Sequence, residues 1–131
     1  CSDEAFLQRM KASGQAWSVS HFAQAAGVAA LAETEYRAKT ISVIARENAF
    51  MKEELAKLPI RLYESAVNYF FFQVPGVIDL DKKMEKHGIM IRNCSNYVNL
   101  GDDYFRVAVR NREDNLKLIH AMKEELSEME D

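Results

Sequence analysis

The sequence predicts an α+β fold: one small antiparallel or mixed sheet with helices packed mainly on one face, preceded by a long N-terminal helix. Three observations carry this. Apolar residues recur at three- and four-residue spacing between Glu33 and Leu58, the signature of an amphipathic helix. Short β-rich runs follow, IRLYES and VNYFFFQV, then GIMIR and YFRVAVR, with DLDKKMEKHG between the two pairs. The order of elements is helices, two strands, helix, two strands, helix, which suits one sheet covered by helices.

Residues 3–13 read as a short helix with Phe6, Leu7 and Met10 on one side, ended at Gly14. Ser18 or Ser20 caps the next helix, which runs through FAQAAGVAAL. Small residues at that density predict close packing against another element. In the long helix Tyr36, Thr40, Val43, Ile44, Met51, Leu55 and Leu58 share the apolar face, with Arg37, Arg46, Lys52 and Glu53 outside. Pro59 stops it, because the residue before a proline avoids helical geometry. VNYFFFQV has no polar alternation and reads as a strand buried on both faces. Pro75-Gly76 makes a turn, and Gly88 closes the short helix that begins at Asp79. GIMIR and YFRVAVR are strands joined by NCSNYVNLGDD. The final helix starts near Asn111, with Asp114 three residues on as a capping box, and carries Leu116, Ile119, Met122 and Leu126 inward before the acidic tail SEMED.

The bulk properties exclude more than they assign. The 131 residues are 48% hydrophobic and 28% charged, enough for one ordinary domain with a core. A net charge of −3 with interspersed signs does not advertise nucleic acid or an anionic membrane. Uncharged runs are too short to span a bilayer. The opening CSDEAFLQRM has neither the basic start nor the apolar stretch of a signal peptide. Two cysteines, Cys1 and Cys94, make no disulfide framework, so a reducing cytoplasm is the expected location. Neither has metal-ligand spacing to His21, His87 or His120, and no metal site is expected. No phosphate-binding loop, dinucleotide fingerprint or zinc-protease motif is present. No residue is assigned a catalytic role. The chain opens at Cys1 without an initiator methionine and is expected to be a piece of a larger protein.

The candidate binding residues are Arg92 and Arg106. Strand alternation puts Met90 and Arg92 on one face and Ile89 and Ile91 on the other. Likewise Phe105, Val107 and Val109 take the core face, leaving Arg106 with Ala108 and Arg110. Arginine grips carboxylate and phosphate with two parallel N–H donors, which lysine cannot do, so a pair suits a substrate with two anionic groups. Pattern alone favours the plainer alternative, two solvated arginines on an exposed sheet face. His87 reads as a cation at a helix C-terminus rather than a catalyst. The run Tyr69 to Phe72 reads as core, not as a stacking platform, since no basic stripe accompanies it. Trp17 suits packing at least as well as a pocket or interface, and Glu53-Glu54 and Asp102-Asp103 read as solvated.

Several segments together resemble one family. GIMIRNCSNY, GDDYFRVAVRNREDN, ESAVNYFFFQV and QAWSVSHFAQAAGVAAL are similar, in that family's order, to the C-terminal part of the class I/II aminotransferases, pyridoxal-phosphate enzymes of fold type I. The nearest branch holds histidinol-phosphate aminotransferase and threonine-phosphate decarboxylase, the latter of cobalamin biosynthesis. The resemblance implies that Arg106 pairs with the substrate α-carboxylate and Arg92 with its distal phosphate, while Asn68 is structural. The IRNCSNY stretch looks more like the decarboxylase, because proline commonly follows the arginine in the aminotransferase. In either reaction the pyridine ring is the electron sink, and the protein selects the bond that breaks.

The resemblance also implies what lies elsewhere. The Schiff-base lysine segment, Ser/Thr-x-Lys followed by Gly-x-Arg-x-Gly, has no counterpart in these residues, nor do the groups that bind the cofactor. This chain alone is therefore expected to bind no cofactor and to be inactive, with pyridoxal phosphate, a large domain and homodimerisation belonging to the parent. Residues 1–58 would be helical, including the helix connecting the two domains, and 59–131 the small substrate-binding domain. An apolar patch near the N-terminal third, or self-association, follows from a severed interface. A free-standing protein-interaction module without catalysis is the competing reading from a different class.

Overall fold

In the computed structural model, residues 3–14 and 19–127 are described, so Cys1, Trp17, Ser18 and the last four residues of the acidic tail lie outside them. The helices begin where short polar side chains can accept their first N–H groups. Asp3 accepts from the Phe6 N–H at 3.2 Å to open α1 (Glu4–Ser13). Ser20 accepts from the Ala23 N–H at 3.2 Å to open α2 (His21–Ala32). Neither helix buries a residue. The close packing expected of FAQAAGVAAL is thus not made by any described residue, and Phe22 stands 90% exposed.

α3 (Thr34–Leu55) is one turn shorter than its apolar pattern suggested. At its start the Glu33 N–H closes α2 on the Ala30 carbonyl at 3.2 Å, and at its end the Leu58 N–H turns back to Leu55 at 3.1 Å. Its buried residues are Glu47, Met51 and Leu55, all in the second half. Tyr36 and Ile41, on the first half, are exposed. The chain divides into two compact units, Cys1–Ala38 and Lys39–Asp131, and the second holds the sheet.

Four strands form that sheet: β1 (Arg61–Leu62), β2 (Tyr69–Gln73), β3 (Arg92–Asn93) and β4 (Tyr104–Ala108). Their order is β1-β2-β4-β3 and every neighbouring pair is antiparallel. Phe70 and Phe72 of β2 sit opposite Val107 and Phe105 of β4 and are buried in one core with Met51 and Leu55 of α3. The Phe72 and Phe105 rings lie 6.0 Å apart, each fully enclosed. Burying such a side chain is worth roughly 1.5–3 kcal/mol, so these central strands anchor the unit. The aromatic run is not buried on both faces as expected. Tyr69, Phe71 and Gln73 alternate onto the opposite face, which no helix covers fully, and they are only part-buried or exposed.

Two glycines take left-handed backbone. Gly76, at φ 82°, follows Pro75 in a turn closed by the Val77 N–H on the Val74 carbonyl at 3.1 Å, the pattern of a type II turn. Gly88, at φ 70°, ends the α4 segment (Leu80–Glu85): its N–H reaches the Glu85 carbonyl at 2.9 Å and the Ile89 N–H reaches Met84 at 3.1 Å. That double closure is a Schellman motif. It also explains why GIMIR is not the full strand expected, because its first N–H groups complete the helix end and ladder pairing begins only at Arg92. Nothing stands within 4 Å of where a Gly88 Cβ would lie, so Gly88→Ala meets a backbone penalty alone. It is expected to lower stability by about 1 kcal/mol, read as a lower denaturation midpoint with an unchanged slope.

α5 (Arg112–Ser127) is capped by Asn111, whose side-chain oxygen accepts the Asp114 N–H at 2.9 Å. Its buried stripe is Asn115, Leu118, Ile119, Met122, Glu125 and Leu126 with Ala121. Leu116, expected inward, is 50% exposed, and Leu118 takes its place. The stripe is set from Asn115 at intervals of three and four, which leaves position 116 on the flank.

A candidate anion-binding face on the sheet

Arg106 is central in β4 and Arg92 opens β3, and the ladder register sets them directly opposite one another. Because side chains alternate along a strand, both project from the face that Phe71 shares, away from Phe105 and Val107. Like charges directly opposite across antiparallel strands destabilise a sheet. Among the described residues neither arginine is ion-paired. The carboxylate in the lining of the groove beside Arg106, Glu64, is paired with Lys52 at 2.9 Å.

Arg92 is exposed and donates from Nη2 to the Asn96 side-chain oxygen at 3.1 Å. Asn96 belongs to the loop between β3 and β4. That loop is wound by Tyr97 N–H to the Cys94 carbonyl at 3.0 Å, Leu100 N–H to Tyr97 at 3.2 Å, and a left-handed Asn99 at φ 67°. Arg106 is half-buried, with its guanidinium carbon 4.6 Å from the centre of the Tyr69 ring. A groove of about 430 Å³ opens here, and Tyr63, Tyr69, Phe71, Cys94, Tyr97 and Arg106 are among its lining. Arg92 faces Arg106 across the ladder but is not part of that lining. Tyr63, Phe71 and Tyr104 form an aromatic patch beside it, with centroids 5.1 Å and 5.6 Å from Phe71. Burial pushes the Cys94 thiol up, against the pull of Arg106 and Arg92, so it is not poised as a nucleophile.

A larger cleft of about 900 Å³ lies on the other side of β4, between His87–Ile91 and α5. It is less suited to an anion. Its cations Arg110 and Lys117 are paired with Asp114 and Glu113, and His87 is 2.7 Å from Glu125. His87, read from sequence as a cation at a helix end, thus has a carboxylate partner on α5. Among the described residues no three His, Cys, Asp or Glu side chains converge as for a metal ion.

The face on which the two arginines lie is legible in sequence, but the approach of Tyr69 and Asn96 to them is not. Four aromatic residues in a row carry no hydropathy alternation, so Tyr69 reads as core. The strand period alone would have put Tyr69 and Phe71 on the arginine face.

The fold is that of a partial aminotransferase-type α+β unit, and comparison with known proteins supports this. No family model matches the sequence. Threonine-phosphate decarboxylase of Salmonella typhimurium is 32% identical over 128 residues, covering 96% of this chain and 35% of that protein. Histidinol-phosphate aminotransferase of Methanococcoides burtonii is 31% identical over 110 residues, covering 82% of this chain and 30% of its own length. The crystal structure of histidinol-phosphate aminotransferase from Clostridium acetobutylicum superposes with a TM-score of 0.83 at 25% identity, over 96% of this chain and 39% of that one. The chain is homologous to these aminotransferases and decarboxylases, and it spans about a third of the length of the curated relatives it matches.

Proposed function

We propose that this chain is the substrate-recognition part of a pyridoxal-phosphate enzyme acting on a phosphorylated amino acid or amine. The observation that carries the reading is the pair Arg92 and Arg106, opposite each other on the sheet with no ion-paired carboxylate among the described residues. A ligand with two anionic groups would turn that repulsion into attraction. In this reading Arg106, in the groove, takes the carboxylate, and the exposed Arg92, opposite it on β3, takes the phosphate.

The face does not itself fit the cofactor. No lysine lines the groove to hold the aldehyde of pyridoxal phosphate. The cofactor, and the electron sink it supplies, would belong to a large domain in the parent enzyme, a cytoplasmic homodimer in this reading. What this chain contributes is binding and orientation: two fixed guanidiniums and an aromatic wall decide how the substrate lies.

O-phosphothreonine decarboxylation is the leading activity, with amino transfer from histidinol phosphate second. The decarboxylase comes first because IRNCSNY lacks the proline after the arginine and because the Salmonella relative covers nearly the whole chain. The test is to incubate the full-length enzyme with O-phosphothreonine and trap carbon dioxide. Release without a keto acid is expected. In a parallel assay with histidinol phosphate and a keto acid, amino transfer without carbon dioxide release from O-phosphothreonine would give the assignment to the aminotransferase, and no reaction with either substrate would sink both.

A further inference from the structure

One arginine elsewhere in this protein shows how a carboxylate is seated here. Arg112 lies with its guanidinium carbon 3.7 Å from the centre of the Phe50 ring, while its edge donates to Glu47 from Nε at 2.9 Å and from Nη2 at 3.3 Å. The ring occupies the face of the planar cation and the carboxylate its edge. These do not compete, since all five N–H donors lie in the guanidinium plane. Arg106 likewise has an aromatic ring beside its guanidinium. Its carbon is 4.6 Å from the Tyr69 ring centre, and no described residue accepts a hydrogen bond from its edge.

We propose that Tyr69 is a positioning residue for substrate: it holds the face of Arg106 so that the edge is presented, in fixed orientation, to the ligand's carboxylate. This rests on the reading of Arg106 as a substrate-binding residue. The backbone makes the contact possible. Tyr69 pairs with Ala108, so its direct cross-strand neighbour is a methyl group and the diagonal neighbour is Arg106. Diagonal positions lie within reach of an aromatic ring and a long side chain. Tyr69 is itself anchored, since its carbonyl accepts from the Ser65 hydroxyl and the nearby Val67 carbonyl accepts from Asn48 Nδ2 at 3.1 Å. A carboxylate partner would also fix Arg106, but by filling the edge that the substrate needs. An aromatic ring fixes the cation and leaves every donor free.

The experiment is a kinetic series in the full-length enzyme with the phosphorylated substrate it turns over. Tyr69→Leu is expected to raise KM about five- to thirty-fold with kcat little changed, the range of a cation–ring contact. Tyr69→Phe, which keeps the ring, should stay within about two-fold of the parent in KM. Should Tyr69→Leu fail to fold, stepwise fluorination of phenylalanine at position 69 draws charge from the ring at nearly constant size. KM should then climb with each fluorine. A flat series, or a Tyr69→Leu enzyme with unchanged KM, overturns the role of Tyr69. Arg106→Ala separates the two levels. If it raises KM while the Tyr69 variants do not, only the positioning role is lost. If Arg106→Ala leaves KM unchanged, the substrate-binding reading falls and the role of Tyr69 with it.

Discussion

Replacing Arg106 with lysine should weaken substrate binding by about 1.5–3 kcal/mol, the worth of a charge-assisted hydrogen-bonding group. The change keeps the positive charge and much of the stem. It removes the planar fork that meets both carboxylate oxygens at once, so the loss measures geometry rather than charge. At about 1.4 kcal/mol per decade, KM should rise from roughly ten-fold to more than a hundred-fold. Thermal stability should be nearly unchanged, because Arg106 is paired with no carboxylate among the described residues and faces Arg92 directly across the ladder. A protein-interaction module would behave differently, with no substrate affinity to lose. Equal KM values for the parent enzyme and Arg106→Lys, in protein of equal melting temperature, would remove Arg106 from the site.

How much of this could be read from the chain depends on whether the signal is local. The placement of Arg92 and Arg106 away from Phe105, Val107 and Ile91 follows from a period of two over a few residues, and the structure has it so. Their being directly opposite does not follow. It depends on how the loop from Cys94 to Asp103 is wound, including a left-handed Asn99, and no pattern in the strands encodes that. The length of β3 was likewise hidden, because Gly88 and Ile89 serve the end of α4 before they can serve a ladder. In YFFFQ the first four residues are all aromatic and only Gln73 is polar, so the half-open face is nearly silent in hydropathy. In α5 the spacing to Ile119 suggests Leu116 as inward, whereas the buried stripe runs through Asn115 and Leu118. Glu47 illustrates the same limit most sharply. A carboxylate in a helix rich in charge reads as solvent-facing, while two of its three partners stand 65 and 68 residues away.

Glu47 is therefore where the largest loss of stability is expected. It is 1% exposed, and both its oxygens are occupied: Oε2 by Arg112 Nε at 2.9 Å and Asn115 Nδ2 at 3.2 Å, Oε1 by Arg112 Nη2 at 3.3 Å and Arg46 Nε at 3.2 Å. Asn115 in turn holds the Arg110 backbone through both ends of its amide, at 2.9 Å each, so the carboxylate ties α3 to the start of α5. The Arg112 hydrogen bond, working against burial and aided by Arg46 and Asn115, lowers the Glu47 pKa from 4.5 to about 2. A folded pKa below the unfolded one means that folding favours the ionised form. The contribution is present above pH 4.5 and disappears as pH falls through about 2. Glu47→Gln keeps the shape and removes the charge, leaving Arg112 over the Phe50 ring without its anion. Its melting temperature at neutral pH should fall by roughly 5–10 °C, less than for a fully enclosed pair because Arg112 keeps contact with water. The gap between variant and parent should then close as the pH is lowered from 4.5 toward 2, since only the parent has a proton to take up at this position. Calorimetric melts of the two chains across that range measure it. Curves that stay parallel down to pH 2 would mean that the Glu47 charge is not what joins the two helices.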